Sequence, residues 1–252
     1  RDPLWSRGLG DVYKRQAYVG AAAFDLAHHH PDEKVRGEQQ AFYEFLVPVI
    51  KGWSTEMSID VASTGLQIHG GMGFIEETGA AQYYRDARIL TIYEGTTAIQ
   101  ANDLVGRKTV RDGGVVARGI IAAVRGTEAE LAKAAAPDLQ AIGAHLAAAS
   151  TALEEVVAYV VANIQSDIKG VFAGSVPYLK LAGIVLCGWQ MGRAALIAQA
   201  KLDAGSGDAK FYQAKIATAR FFADYFLSQA GAYRSAIVDG SAGVLALDEA
   251  QF

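Results

Sequence analysis

Apolar side chains recur at three- and four-residue spacing along nearly the whole chain, the mark of amphipathic helices, and no stretch alternates as a half-buried strand would. The pattern sets in abruptly at AYVGAAAFDLA. It predicts a helix over 17–28 that stops near HHHPD, where Pro31 and Asp32 make a turn, and a second over 34–47. Pro48 opens or kinks a third, in which Ile50, Trp53, Met57, Val61 and Thr64 keep helical spacing until Gly70-Gly71 must end it. Thr78-Gly79 then starts a short helix through Tyr84. An irregular run crosses Ile89 to Gly95, and Thr96 or Thr97 caps a helix reaching about Val110.

RDGG at 111–114 is the best internal boundary, because charges and glycines there separate two apolar patterns of different composition. Beyond it the chain turns alanine-rich, with helical segments near 115–135, 138–166, 176–203 and 209–237. The breaks hold Pro137, then Gly170, Gly174 and Pro177, then GSGD at 205–208. Short loops between helices that each carry an apolar face predict an all-α fold in two antiparallel helical bundles, 17–113 and 114–252. Residues 1–16 carry scattered charges and no sustained stripe, and are read as a non-native or read-through segment to be left out of fold reasoning.

Composition narrows the functional classes. Of 252 residues, 51% are hydrophobic, and 23 Lys and Arg face 27 Asp and Glu, so no basic footprint for nucleic acid exists. One cysteine, Cys187, rules out an internal disulfide and fits a reducing compartment, with the cytoplasm expected; its neighbours Ile184, Val185, Leu186 and Trp189 make it a core thiol. The longest apolar run, LAGIVLCGWQM at 181–191, is flanked by Lys180 and Arg193 and falls short of the ~20 residues a membrane span needs, so it reads as a buried helix.

Most candidate chemistry has a plain structural reading. His28, His29 and His30 are adjacent, so their rings diverge, and they suit a helix C-terminus better than a metal; no metal site is expected. His145 stands alone among alanines, and Phe211, Phe221, Phe222, Tyr225 and Phe226 read as core. GGMGF at 70–74 lacks the preceding strand of a dinucleotide fingerprint. It is either a helix terminator with a tight loop or a place where bare backbone approaches a phosphate. ILTIYEGTTAIQ at 89–100 is different. Turns favour Asn, Asp or Ser, which bond their own backbone, yet here Glu94 follows the apolar Ile89, Leu90, Ile92 and Tyr93. That setting predicts a desolvated carboxylate.

STGLQIHGGMGF, then YYRDARI, then IYEGTTAIQANDLVGRK resemble, in order and separation, the C-terminal helical domain of the acyl-CoA dehydrogenases over roughly residues 17–110. The tail, with SVPYLKLAGIVLCGW and ARFFADYFLSQA, is similar to the extra helical domain of a bacterial subgroup. That subgroup includes long-chain-type enzymes and the 3-methylmercaptopropionyl-CoA dehydrogenases. The resemblance implies FAD as cofactor and Glu94 as the base that takes the α-proton of an acyl-CoA, the β-hydrogen leaving as hydride to the flavin. Desolvation by Tyr93, Ile92 and the flavin would strengthen that base. In the family the backbone N–H of the base also holds the thioester oxygen, where charge develops. Tyr93 and Gly95 would then line the thioester, Thr96 would touch the flavin as well as cap a helix, and Gln67, Gly70 and Gly71 would meet the adenine-dinucleotide end of an FAD held mainly by a neighbouring subunit. Arg85 and Asp86 would pair and brace the loop. A homo-oligomer and electron-transferring flavoprotein as electron acceptor are further implications. The family's N-terminal helical and middle β-domains have no counterpart here, so this chain alone is expected neither to hold FAD stoichiometrically nor to turn over. The competing expectation is a non-catalytic all-α scaffold or oligomerisation module, which needs no acid in an apolar loop.

Overall fold

The computed structural model describes residues 7–251, with side chains from Arg15 onward. Twelve α-helices, several of a single turn, and no strand are found among the described residues. In chain order they are α1 (Arg7–His29), α2 (Glu33–Ile68), α3 (Gly71–Phe74), α4 (Ala80–Ile89), α5 (Thr97–Asp103), α6 (Val115–Lys133), α7 (Pro137–Asn163), α8 (Ile168–Ala173), α9 (Ser175–Asp203), α10 (Ala209–Tyr225), α11 (Ala230–Val238) and α12 (Ser241–Val244). A π-helical stretch, Leu104–Val110, continues α5.

Side-chain caps set many of the starts. Asp32 accepts from Lys34 N at 2.8 Å, Asp167 from Gly170 N at 2.9 Å and Asp208 from Lys210 N at 3.0 Å, each satisfying a donor that has no partner inside its helix. Pro137 occupies the first turn of α7, where a missing N–H costs nothing.

Three expectations need correction. Pro48 neither opens nor ends a helix: α2 runs through it for 36 residues. The missing hydrogen bond is offset because Phe45, Leu46, Val49, Trp53 and Met57, on both sides of the proline, are buried. The helix expected over 209–237 is two, α10 and α11, joined by a 3-10 turn at Leu227–Gln229. The onset expected at Ala17 is also displaced. Residues 1–6 of the segment set aside lie outside the described residues, but α1 already begins at Arg7, and the buried Gln16 donates to Gly183 O of α9 at 3.1 Å.

The core is continuous across the 111–114 turn, where Gly113 and Gly114 both have positive φ. Helices α2 and α5 pack on α9 through close approaches. A Cβ on Gly183 would land on the Trp53 ring, and one on Gly52 would strike Leu179, so glycine notches let α2 and α9 draw together. The tail packs α6, α7, α10 and α11 around α9. Among the described residues two helices, α7 and α9, are long and apolar enough to cross a membrane, but 78% of the apolar window of α9 is buried inside the fold, as a core helix requires. Cys187 lies in that buried stretch.

A buried polar bond ties the segments further: Thr109 Oγ1 in the π-helical turn meets Tyr178 OH of α9 at 2.9 Å, while bonding Leu104 O at 2.8 Å. Burial pushes the Tyr178 phenol above its ordinary value of 10.0, and the Cys187 thiol well above 9.0. Folded, both keep protons that the unfolded chain releases, so the unfolded state is favoured as pH rises past about 9, and each group removes up to about 1.4 kcal/mol per pH unit while the two states differ. Urea midpoints between about pH 8 and 11 should therefore fall for the native chain, and fall less steeply for the Cys187→Ala, Tyr178→Phe double variant.

Among the motifs without catalytic promise, the histidines are satisfied locally. His28 Nδ1 lies 2.8 Å from Phe24 O, and His30 Nδ1 accepts from Asp32 N at 3.1 Å. His145 is not isolated, since its Nε2 sits 3.2 Å from Asp224 of α10. Of the tail aromatics Phe222 is buried and stacks on Phe226 at 4.9 Å, whereas Phe211, Phe221 and Tyr225 are exposed and correct the expectation that all were core.

Candidate functional site

The base-bearing loop is a turn between α4 and α5 held from outside by α2. It starts where Leu90 caps α4, with Ile92 N and Tyr93 N both donating to Ile89 O, at 3.0 and 3.3 Å. It closes with Thr97 N on Thr91 O at 3.4 Å, and Thr96 Oγ1 caps α5 by accepting from Ile99 N at 3.4 Å. Thr91 is buried and bonded to Arg88 through both its hydroxyl and the arginine side chain. From α2, Lys51 Nζ donates to Leu90 O at 2.8 Å and Tyr93 O at 3.3 Å, and lies 4.8 Å from the centre of the Tyr93 ring. One turn further along α2, Glu56 accepts a hydrogen bond from Thr97 Oγ1.

Inside this frame Glu94 has φ 48°, the only non-glycine residue with positive φ among those described, and Gly95 follows at φ 93°. A left-handed glutamate costs on the order of 1 kcal/mol and persists only when its surroundings impose it. Here both ends of the loop are tied to one helix. Gly95 is favoured by its φ, which suits glycine; a Cβ would also come to 2.5 Å from Gln100 Nε2, the mobile end of a side chain that would have to shift. The Glu94 N–H makes no hydrogen bond among the described residues, and neither do those of Gly95 and Thr96, so three successive amides of the turn are open between the bonded Tyr93 N and Thr97 N.

The expected dry setting of Glu94 is corrected. Its side chain is exposed, as are Ile92 and Tyr93. Nor does it lie beside the glycine loop. Lys51 and Glu56 hold the Glu94 loop and Gln67 precedes the glycines, so the anchors lie eleven to sixteen residues apart on α2, about 16–24 Å at ~1.5 Å per residue. Sequence proximity misled because α4 spans the gap. The expected Arg85–Asp86 pair is likewise absent: Arg85 pairs with Glu76 at 3.2 Å, and Arg88 does the bracing.

At the other end, α2 stops at Ile68 and Gly70 turns the chain with φ 60°. Gly70 and Gly71 are exposed, with open space where a Cβ would stand, and Gln67 is exposed beside them. Gly73 has a packing reason, since its Cβ would collide with Leu66 C=O. Around both loops large apolar side chains face outward. Ile68, Phe74 and Tyr83 are 81%, 79% and 76% exposed, and Met72, Ile92 and Ile99 are more than half exposed. A surface of this kind marks a contact face.

These residues fit one wall of a flavin site. Bare backbone at 70–71, polar groups on Gln67 and Thr96, and an apolar surround are what a ring system with a diphosphate linker needs, and among the described residues these groups lie open at the surface. Lys51, Glu56, Arg88 and Gln100 escaped the sequence reading. A lone cation in the apolar run VPVIKGW was the one available signal for Lys51.

Two family models match: "Acyl-CoA dehydrogenase, C-terminal domain" over residues 1–108, and "Acetyl-CoA dehydrogenase C-terminal like" over residues 120–248. The chain is 53% identical over 236 residues to the 3-methylmercaptopropionyl-CoA dehydrogenase of Ruegeria pomeroyi, covering 94% of this chain and 40% of that protein. It is 35% identical over 258 aligned positions to the broad-specificity linear acyl-CoA dehydrogenase FadE5 of Mycobacterium tuberculosis, covering 98% of this chain and 41% of that one. A shorter match, 42% over 50 residues and 20% of the chain, is to the caffeyl-CoA reductase-Etf complex subunit CarC of Acetobacterium woodii. The chain thus spans about two fifths of the length of the first two relatives.

Proposed function

This chain belongs to the acyl-CoA dehydrogenase family, and we propose that it is the C-terminal helical portion of an FAD-dependent enzyme that desaturates an acyl-CoA thioester between its α- and β-carbons. The observation that carries the reading is the Glu94 loop: a carboxylate held left-handed, followed by a glycine of positive φ, with its own N–H unclaimed.

Each residue then has a task. The Glu94 carboxylate removes the α-proton, and the Glu94 N–H donates to the thioester oxygen, where negative charge gathers as the C–H bond breaks. Gly95 lets the thioester lie against the backbone, and the Tyr93 ring forms a side wall. Thr96 faces the flavin with its hydroxyl while capping α5, and Gln67, Gly70 and Gly71 receive the dinucleotide end of FAD, whose ring supplies the hydride acceptor. The separation of their anchor points along α2, on the order of 20 Å, suits a homo-oligomer in which the two loops serve different flavin sites. The outward apolar face supplies the dryness the base lacks here once the rest of the enzyme covers it.

The substrate we assign is 3-methylmercaptopropionyl-CoA, on the strength of the Ruegeria relative. Electron-transferring flavoprotein is the assigned electron acceptor, supported by the family and by the name of the Acetobacterium relative. We assign a cytoplasmic location, a reading with which the single cysteine is consistent. The exposure of Glu94 favours the scaffold alternative, but a scaffold loop has no use for a glutamate held at φ 48°.

Purified alone, the chain should be colourless and inactive. A full-length enzyme carrying it should bleach on mixing with 3-methylmercaptopropionyl-CoA, and faster than with straight-chain acyl-CoAs. Bleaching by none of a panel of acyl-CoAs would remove the assignment, and preference for a straight chain would move only the substrate.

A further inference from the structure

Resting on the assignment of Glu94 as base, we propose that Lys51 is a positioning residue that orients and polarises the Tyr93–Glu94 peptide group, so that its N–H can hold the thioester oxygen. The two ends of that peptide are treated differently. Its carbonyl, on Tyr93, accepts from Lys51 Nζ at 3.3 Å, while its N–H, on Glu94, has no partner among the described residues. A peptide whose carbonyl is bonded to a cation is polarised along the C=O to N–H axis, and its N–H becomes a stronger donor. The same ammonium donates to Leu90 O at 2.8 Å and sits 4.8 Å from the Tyr93 ring centre, so two of its hydrogen bonds and its charge are directed at one turn.

The placement also fixes direction. Lys51 sits half-buried on α2, which supports the loop again at Glu56 through Thr97. In a trans peptide the N–H points opposite to the C=O, so with the Tyr93 carbonyl turned to Lys51 the Glu94 N–H is directed away from it. A neutral donor in this position would hold the turn but polarise it less. The competing role is structural: Leu90 is the C-terminal cap of α4, and a lysine there also favours the helix dipole. That role concerns Leu90 O alone and leaves the Tyr93–Glu94 peptide out of account.

The test uses a full-length enzyme carrying this segment, with Lys51→Met, Lys51→Arg and Glu94→Gln compared. Loss of one direct oxyanion donor lowers turnover by about 10²–10³-fold, so weakening that donor through its carbonyl should lower kcat by about tenfold in Lys51→Met. KM should stay within about twofold, the isotope effect on an α-deuterated substrate should rise, and Lys51→Arg should recover most of the loss. A Lys51→Met enzyme with native kcat, or one whose loss lies in KM or thermal stability alone, overturns the proposal while inactive Glu94→Gln leaves the base assignment standing. An active Glu94→Gln enzyme overturns the base assignment instead. Should Lys51→Met fail to fold, Lys51→Gln, which keeps two N–H donors without the charge, takes its place, and native kcat there also overturns the polarising role.

Discussion

Glu94→Gln in a full-length enzyme carrying this segment should lower turnover by about 10³–10⁴-fold, with binding of the acyl-CoA little changed. The substitution keeps the volume of the side chain and removes only its ability to accept a proton, and a positioned base accounts for up to about 10⁴-fold. The loop should survive it. Its shape is imposed by Lys51, Glu56 and the Gly95 turn, none of which contacts the Glu94 carboxylate. Stopped-flow absorbance of the flavin under excess substrate measures the effect. Bleaching at the native rate would leave Glu94 as a loop residue of unusual geometry and nothing more.

Trp53→Ala should cost about 3–5 kcal/mol of unfolding free energy, the range for emptying a buried aromatic site. Trp53 is 5% exposed and fills the notch at Gly183, so its loss leaves a hole at the crossing of α2 and α9 that neither helix can close without disturbing Gly52 and Leu179. Against a total of about 5–15 kcal/mol, this is a large share. Because the core is continuous, the urea transition should stay single while its midpoint drops. A cost below about 1 kcal/mol would show that the joint between the two halves lies elsewhere.

How much of this was legible in the sequence depends on where each cause resides. Starts and stops with their own chemistry were read well: Asp32, Gly70, Thr96 and Asp208 carry the reason for a helix end in their side chains or their lack of one. Pro48 carries a reason too, but burial on both sides of it outweighs the local penalty, and burial is a property of the partner helices. The break after Tyr225 has no glycine or proline, and the Phe222–Phe226 stack that accompanies it is tertiary. The acid in the IYEGT turn was found because its identity is wrong for an ordinary turn. Its exposure was not foreseen, because exposure depends on what packs over the turn and not on the apolar identity of the residues beside it. Lys51 was missed for the converse reason: one lysine on a long helix is common, and only the fold shows what it reaches.

The outward-facing Ile68, Phe74 and Tyr83 also govern how an isolated preparation would behave. Sulfate and other strongly hydrated salts strengthen apolar association, so such a preparation should precipitate early in an ammonium sulfate cut and form larger species as it is concentrated. Charge on that face, for instance Phe74→Glu, should keep it monodisperse, at the expense of whatever normally rests there.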